Sequence, residues 1–122
     1  MSCSTNEQRY LCSELVRVLY EDASRNTRQA MANLEEISAS TATLLSEEKL
    51  ESGRAISFCV KDHDLYGVVE SSFLHPVLGW FSKVRFDRSS RWHGRLFVPE
   101  HLFALCASAM LDVTTEVTTR VR

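Results

Sequence analysis

The segment Ala55–Glu70, AISFCVKDHDLYGVVE, decides the fold class because it has the pattern of a β-hairpin. Residues 55–60 are rich in β-branched and aromatic side chains, and residues 65–70 resume this apolar run. Between them, Lys-Asp-His-Asp at 61–64 is a short polar connection of the kind that forms turns. The segment therefore predicts two antiparallel strands joined by a tight turn.

A third strand is predicted directly after this hairpin. Residues 74–79, LHPVLG, indicate a second turn, and the next seven residues alternate between two faces. One face carries Trp80, Ser82, Val84 and Phe86, and the other carries Phe81, Lys83 and Arg85. Three successive strands of this kind predict an antiparallel sheet or barrel.

The first 45 residues leave two interpretations open. Segments 9–20 and 27–37 each fit either an amphipathic helix or a strand with one apolar face, and residues 22–26 form a turn between them. As helices, residues 9–36 would make a helical hairpin on a small sheet, as in a chaperone-like interaction protein. As strands, they would extend the predicted sheet.

The segment after the third strand is rich in arginine. Four arginines surround Trp92 within residues 85–95, at positions 85, 88, 91 and 95. Guanidinium groups bind phosphate and stack on flat rings, so one interpretation is a patch for an anionic or aromatic ligand. We favour the other interpretation, a solvated connection whose Trp92 packs onto the sheet.

The C-terminal region predicts a helix over Pro99–Leu111. Pro99 suits the first helical position and Glu100 suits the positive end of the helix dipole. Apolar residues then recur at helical spacing, at Leu102, Cys106, Ala109, Met110 and Val113. We therefore expect one domain over residues 9–111, a flexible segment over residues 1–8 and a tail over residues 112–122.

Composition and charge exclude several classes of protein. The net charge of −2 and the pI of about 6.1 argue against a general DNA or RNA binder. No apolar run approaches the roughly 20 residues that span a bilayer, and the N-terminus lacks a secretory signal, so we expect no membrane insertion. The four cysteines are widely spaced, which predicts reduced core residues and a cytoplasmic protein.

No catalytic or metal-binding motif is present. The four histidines do not have the spacing of metal ligands, no G-x-S-x-G elbow occurs, and the four glycines stand alone. We therefore expect no enzyme activity, no metal and no cofactor.

Five strings in the chain, in this order, resemble the PilZ domain family of bacteria over residues 9–105. They are RYLCSELV at 9–16, LEEIS at 34–38, LGWF with VRFD at 78–87, SRW at 90–92 and FVPEHL at 97–102. The resemblance implies a mainly β fold, a six-stranded antiparallel barrel with a C-terminal α-helix packed against it. It favours strands in the first 45 residues, and it implies an interior drawn from Val16, Val18, Ile56, Phe58, Val68, Trp80 and Phe86.

The resemblance also implies a ligand, because many members of the family bind cyclic di-GMP. They bind through R-x-x-x-R and [D/N]-x-S-x-x-G segments. In this chain Arg9 is the second arginine and Thr5 replaces the first, while Glu36 and Ser38 take the acid and serine positions and Thr41 replaces the glycine. Losing one bidentate arginine costs about 1.5–3 kcal/mol.

Two functions therefore remain open. The protein is either a regulatory module that acts by contact with another bacterial protein, with weak or lost cyclic di-GMP binding, or a functional receptor for that nucleotide. The replacements at Thr5 and Thr41 favour the first function, because each removes a residue that the family's binding segments contain. The sequence is also compatible with a homodimer, and it names no specific partner.

Overall fold

The computed structural model describes residues 7–105. These residues form seven β-strands and a 3-10 turn at Arg88–Ser90. The strands are β1 Arg9–Glu21, β2 Thr27–Ser38, β3 Thr41–Ser46, β4 Ala55–Val60, β5 His63–His75, β6 Gly79–Phe86 and β7 Phe103–Leu105.

Six of these strands close into an antiparallel barrel in the order β1-β2-β3-β6-β5-β4, and β4 returns to β1. Closure depends on the length of β1, which has 13 residues. One edge of β1 pairs with β2 along most of its length, and the other edge pairs with β4 only at Arg17–Tyr20. The remaining part of that edge, Arg9–Leu11, pairs with β7.

The predicted strands in the first 45 residues are confirmed, because this region forms β1, β2 and most of β3. A helical hairpin over residues 9–36 is therefore excluded. Side chains on these strands alternate between the barrel interior and the outer surface, as in any strand with one buried face.

Five of the seven predicted interior residues are buried, namely Val16, Val18, Ile56, Phe58 and Phe86. The prediction is wrong for Val68 and Trp80, which are only half-buried. Val68 faces outward because Leu65, Gly67 and Val69 take the interior positions of β5. Trp80 lies at the start of β6, where the Lys49 ammonium group is 5.2 Å from its ring centre.

The hairpin of β4 and β5 is confirmed, with a shorter turn than predicted. Lys61 and Asp62 both have positive φ angles, of 51° and 68°, and His63 already belongs to β5. Two central residues with positive φ are the mark of a type I′ turn, whose twist matches that of the flanking strands.

The predicted helix over Pro99–Leu111 is wrong for the part that the structure describes. His101 has a φ of 58°, which interrupts a right-handed helix, and Phe103–Leu105 form β7. The open edge of β1 offers these residues backbone partners that a helix would leave unused. Residues 106–111, the predicted tail at 112–122 and residues 1–6 of the predicted flexible segment lie outside the described residues.

The cysteine prediction holds for Cys12 and fails for Cys59. Cys12 is buried, and burial, with help from nearby carboxylates, raises the pKa of its thiol to about 12. Cys59 lies on the exposed face of β4, between the interior residues Phe58 and Val60. Cys3 and Cys106 lie outside the described residues.

Across residues 7–105 the structure has no helix with the length and apolar character that crossing a membrane requires.

Candidate functional site

The connection between β2 and β3 forms a compact turn of hydroxyl groups, which we call the serine turn (residues 38–41). The Ser38 side chain is buried, and its Oγ lies 2.8 Å from Thr41 Oγ1 and accepts a hydrogen bond of 3.1 Å from the Thr41 N–H. Neither of the two connecting residues, Ala39 and Ser40, nor Thr41 itself, has a positive φ. The conformation of this turn therefore does not require glycine at position 41.

The Glu7 carboxylate binds in this turn. Its Oε1 accepts hydrogen bonds from Ser38 Oγ at 2.9 Å, Ser40 Oγ at 2.6 Å and the Ser40 N–H at 3.3 Å. Its Oε2 lies 3.4 Å from Nη2 of Arg91. Together two hydroxyls, a backbone amide and a guanidinium form a binding site for an anion, filled by a group of the chain itself.

The surroundings of Glu7 favour its charged form. Partial burial by itself raises the pKa of the Glu7 carboxyl, but the hydrogen bonds from Ser40 and Ser38 and the Arg91 charge outweigh that effect. The net result is a pKa below its ordinary value.

Arg9 and Glu36 form an ion pair beside the serine turn. Arg9 lies opposite Ser38 across the β1–β2 pairing, and its Nη1 is 3.2 Å from Glu36 Oε2. The Arg9 side chain is 56% exposed and that of Glu36 only 21% exposed. The pair is therefore open to solvent on the arginine side, and each charge already has a partner.

The arginine-rich segment is tied to the same turn through its tryptophan. Trp92 is buried, its Nε1 donates to the Phe97 carbonyl at 3.0 Å, and its ring packs edge-on against Tyr10 at 5.5 Å. The Trp92 N–H donates to the Ala39 carbonyl at 3.0 Å. The interpretation that Trp92 packs onto the sheet is confirmed.

The four arginines of this segment do not form one patch with a common partner. Arg85 pairs with Glu70 and Arg91 pairs with Glu7. Arg88 and Arg95 make no ion pair with any residue from 7 to 105. Only Arg91 therefore contributes to the serine turn.

The structure brings together four of the five residues that the sequence singled out. Arg9, Glu36, Ser38 and Thr41 lie on neighbouring positions of β1, β2 and β3, whereas Thr5 lies outside the described residues.

Sequence reasoning missed Glu7, Ser40 and Arg91. Glu7 precedes the first strand in a polar segment without periodicity, so no sequence signal points to it. Arg91 could be recognised only as one of four arginines, and Ser40 only as one of several small turn residues.

The polar groups of the serine turn bind a carboxylate, that of Glu7. Within residues 7–105, neither Ser38 nor Ser40 has a histidine among its hydrogen-bond partners, and the acceptor that both hydroxyls share is the Glu7 carboxylate. The same residues contain no group of three or more His, Cys, Asp or Glu side chains that could hold a metal ion.

No family model, curated protein or solved structure matches the chain.

Proposed function

We propose that this protein is a non-enzymatic regulatory module, similar to PilZ domains, that acts in the bacterial cytoplasm by contact with another protein and binds cyclic di-GMP weakly or not at all. One observation carries the proposal. The Glu7 carboxylate binds Ser38, the serine of the segment that the resemblance to PilZ domains assigns to nucleotide binding.

Each group that the nucleotide would need already has a partner within the chain. Arg9 would have to leave Glu36, and Ser38 would have to exchange Glu7 for the ligand. Breaking one hydrogen bond to a charged group costs about 1.5–3 kcal/mol unless the ligand replaces it. The negative charge of Glu7 would also repel the phosphates.

Calorimetric titration with cyclic di-GMP tests this proposal. We expect no measurable binding by the wild-type chain at micromolar nucleotide. The triple variant Thr5→Arg, Glu36→Asp and Thr41→Gly should bind, because it restores an arginine, a shorter acid and the small residue of the binding segments. Any such binding should weaken with added salt, because phosphate contacts depend on charge.

An arginine that has no ion pair with residues 7–105 provides the control. Arg88→Ala removes an exposed positive charge outside the serine turn and should leave both results unchanged. Tight binding by the wild-type chain that Arg9→Ala abolishes would refute the proposal.

The second candidate, a functional cyclic di-GMP receptor, is favoured by one feature of the site. The serine turn holds a carboxylate, and two arginines lie beside it, Arg9 opposite Ser38 and Arg91 next to Glu7. If this candidate is right and Glu7 competes with the nucleotide, the wild type should bind, Glu7→Ala should strengthen that binding, and Arg91→Ala should weaken it. Failure of Glu7→Ala to bind would count against the receptor.

A further inference from the structure

An exposed apolar patch covers the outer face of β1, β2 and β3. We call it the outer patch and define it by five residues, Leu15, Leu19, Met31, Leu45 and Leu78. Leu15 is 68% exposed and Met31 is 48% exposed, although both lie in the middle of paired strands. Leu15, Met31, Leu45 and Leu78 line the same surface depression and so form its continuous part. Leu19 lies further along β1, on the far side of Arg17.

Strand register places two unpaired charges on opposite sides of Met31. Arg17 lies directly opposite Met31 in the β1–β2 pairing. Ala32 lies opposite Ser46, the last residue of β3, and Glu47 follows directly after the strand. Glu47 lines the same surface depression as Met31, on the β3 side. Both side chains are exposed, and neither forms an ion pair with any residue between 7 and 105.

The next outward-facing position of β2, Asn33, also has similar residues on its two sides. Asn33 lies opposite Leu15 on β1 and opposite Leu45 on β3. A leucine therefore lies on each side of the central strand β2, Leu15 on β1 and Leu45 on β3. The Asn33 side chain is satisfied within the chain, since it accepts from Ser13 and donates to Glu35.

We propose that the outer patch binds a second copy of this chain, about a two-fold axis that runs parallel to the strands and passes over Met31. Such a rotation reverses the order of the strands and keeps the position along them. It brings Arg17 of each copy against Glu47 of the other copy, and Leu15 of each copy against Leu45 of the other. The two Met31 side chains meet at the axis.

The charges of Arg17 and Glu47 favour this axis, and they favour a second copy of the chain as the partner. A two-fold axis perpendicular to the strands would place Arg17 against Arg17 and Glu47 against Glu47, and like charges at an interface are strongly unfavourable. A face that carries complementary charges on the two sides of one residue is self-complementary, as a two-fold interface requires. The inference goes beyond the proposed function, because it does not depend on whether cyclic di-GMP binds.

Sedimentation velocity of the full chain tests the dimer. At concentrations up to about 100 μM we expect the wild type to form a species of twice the 13.9 kDa chain mass. Arg17→Glu and Glu47→Arg should each weaken self-association by at least about tenfold, because each places like charges together at two symmetric positions. The double variant, Arg17→Glu with Glu47→Arg, should dimerise again.

The charge-swapped double variant distinguishes a dimer of this chain from binding of a different molecule to the outer patch. Arg88→Glu, a reversal outside the patch, should leave the dimer intact, and thermal melting should show that all variants fold, since Arg17 and Glu47 are exposed. A monomeric wild type, single variants that dimerise normally, or a double variant that stays monomeric would each overturn the proposal.

Discussion

Glu7 anchors the segment before β1 to the serine turn through three hydrogen bonds at one carboxylate oxygen. The physical effect depends on charge, because hydrogen bonds to an ionised acceptor are stronger than those to a neutral one. At this scale, one side chain both contributes to stability and fills the serine turn.

Glu7→Gln should lower the free energy of unfolding by about 1 kcal/mol at neutral pH, since the amide keeps an acceptor but loses the charge. The pKa of Glu7 is lower in the folded chain than its ordinary value, so its contribution is complete above that ordinary value. The contribution is lost as the pH falls through the folded pKa. Urea unfolding at neutral pH and at acidic pH should therefore show a difference between wild type and variant that shrinks as the pH falls.

The matched control is Glu21→Gln, which changes an exposed carboxylate at the end of β1 that has no side-chain partner within residues 7–105. It should not alter stability at either pH. A Glu7→Gln difference that is the same at both pH values would contradict the assignment of the effect to charge.

At the scale of the elements, the contact between β5 and β6 depends on a glycine. Gly67 lies opposite Phe86, and a Cβ atom there would collide with the backbone oxygen of Arg85 and lie 2.9 Å from Val84 Cγ1. Backbone atoms of a paired strand cannot move without loss of the pairing. The close approach of these strands therefore requires a residue without a side chain at position 67.

Gly67→Ala should destabilise the protein by about 2 kcal/mol, because it overpacks a buried site. Gly94→Ala is the control, since a Cβ at position 94 meets no atom within 4 Å. Thermal melting of both variants should show a clear decrease for position 67 and almost none for position 94. Equal melting temperatures for the two variants would show that β5 and β6 separate easily.

At the scale of the whole molecule, the segment after β6 completes the core. Trp92 and Phe97 are buried with the barrel residues, and the Trp92 ring contacts Tyr10 of β1. The Phe86 N–H donates to Ser40 at 2.8 Å, and the Trp92 N–H donates to Ala39. The arginine-rich segment is thus part of the folding unit, and its arginines surround a core residue.

Trp92→Ala should lower the free energy of unfolding by about 3–5 kcal/mol, a large part of the stability of a domain this size. Trp92→Phe keeps most of the ring volume and loses the bond to Phe97, so it should cost about 1 kcal/mol. Urea unfolding followed by circular dichroism measures both. Unchanged stability in Trp92→Ala would mean that Trp92 serves an exposed ligand patch instead of the core.

The sequence by itself determined the elements whose signals are local. The hairpin of β4 and β5 and the alternation along β6 follow from polar turn residues and a period of two, which act over a few neighbours. The sequence also singled out Arg9, Glu36, Ser38 and Thr41 together, as positions of two expected binding segments, and these residues do lie on neighbouring strands.

Tertiary structure alone decided the rest. Residues 9–37 fit helix and strand equally well, and the pairing of β1 with both β2 and β4 selects strand. Residues 103–105 have helical spacing, yet they pair with an edge of β1 that lies more than ninety positions away in the sequence. Glu7 reaches Ser38 and Arg91, which lie 31 and 84 positions away along the chain. Such contacts depend on which backbone edge or hydroxyl remains unpaired after the barrel closes, and no local pattern encodes that.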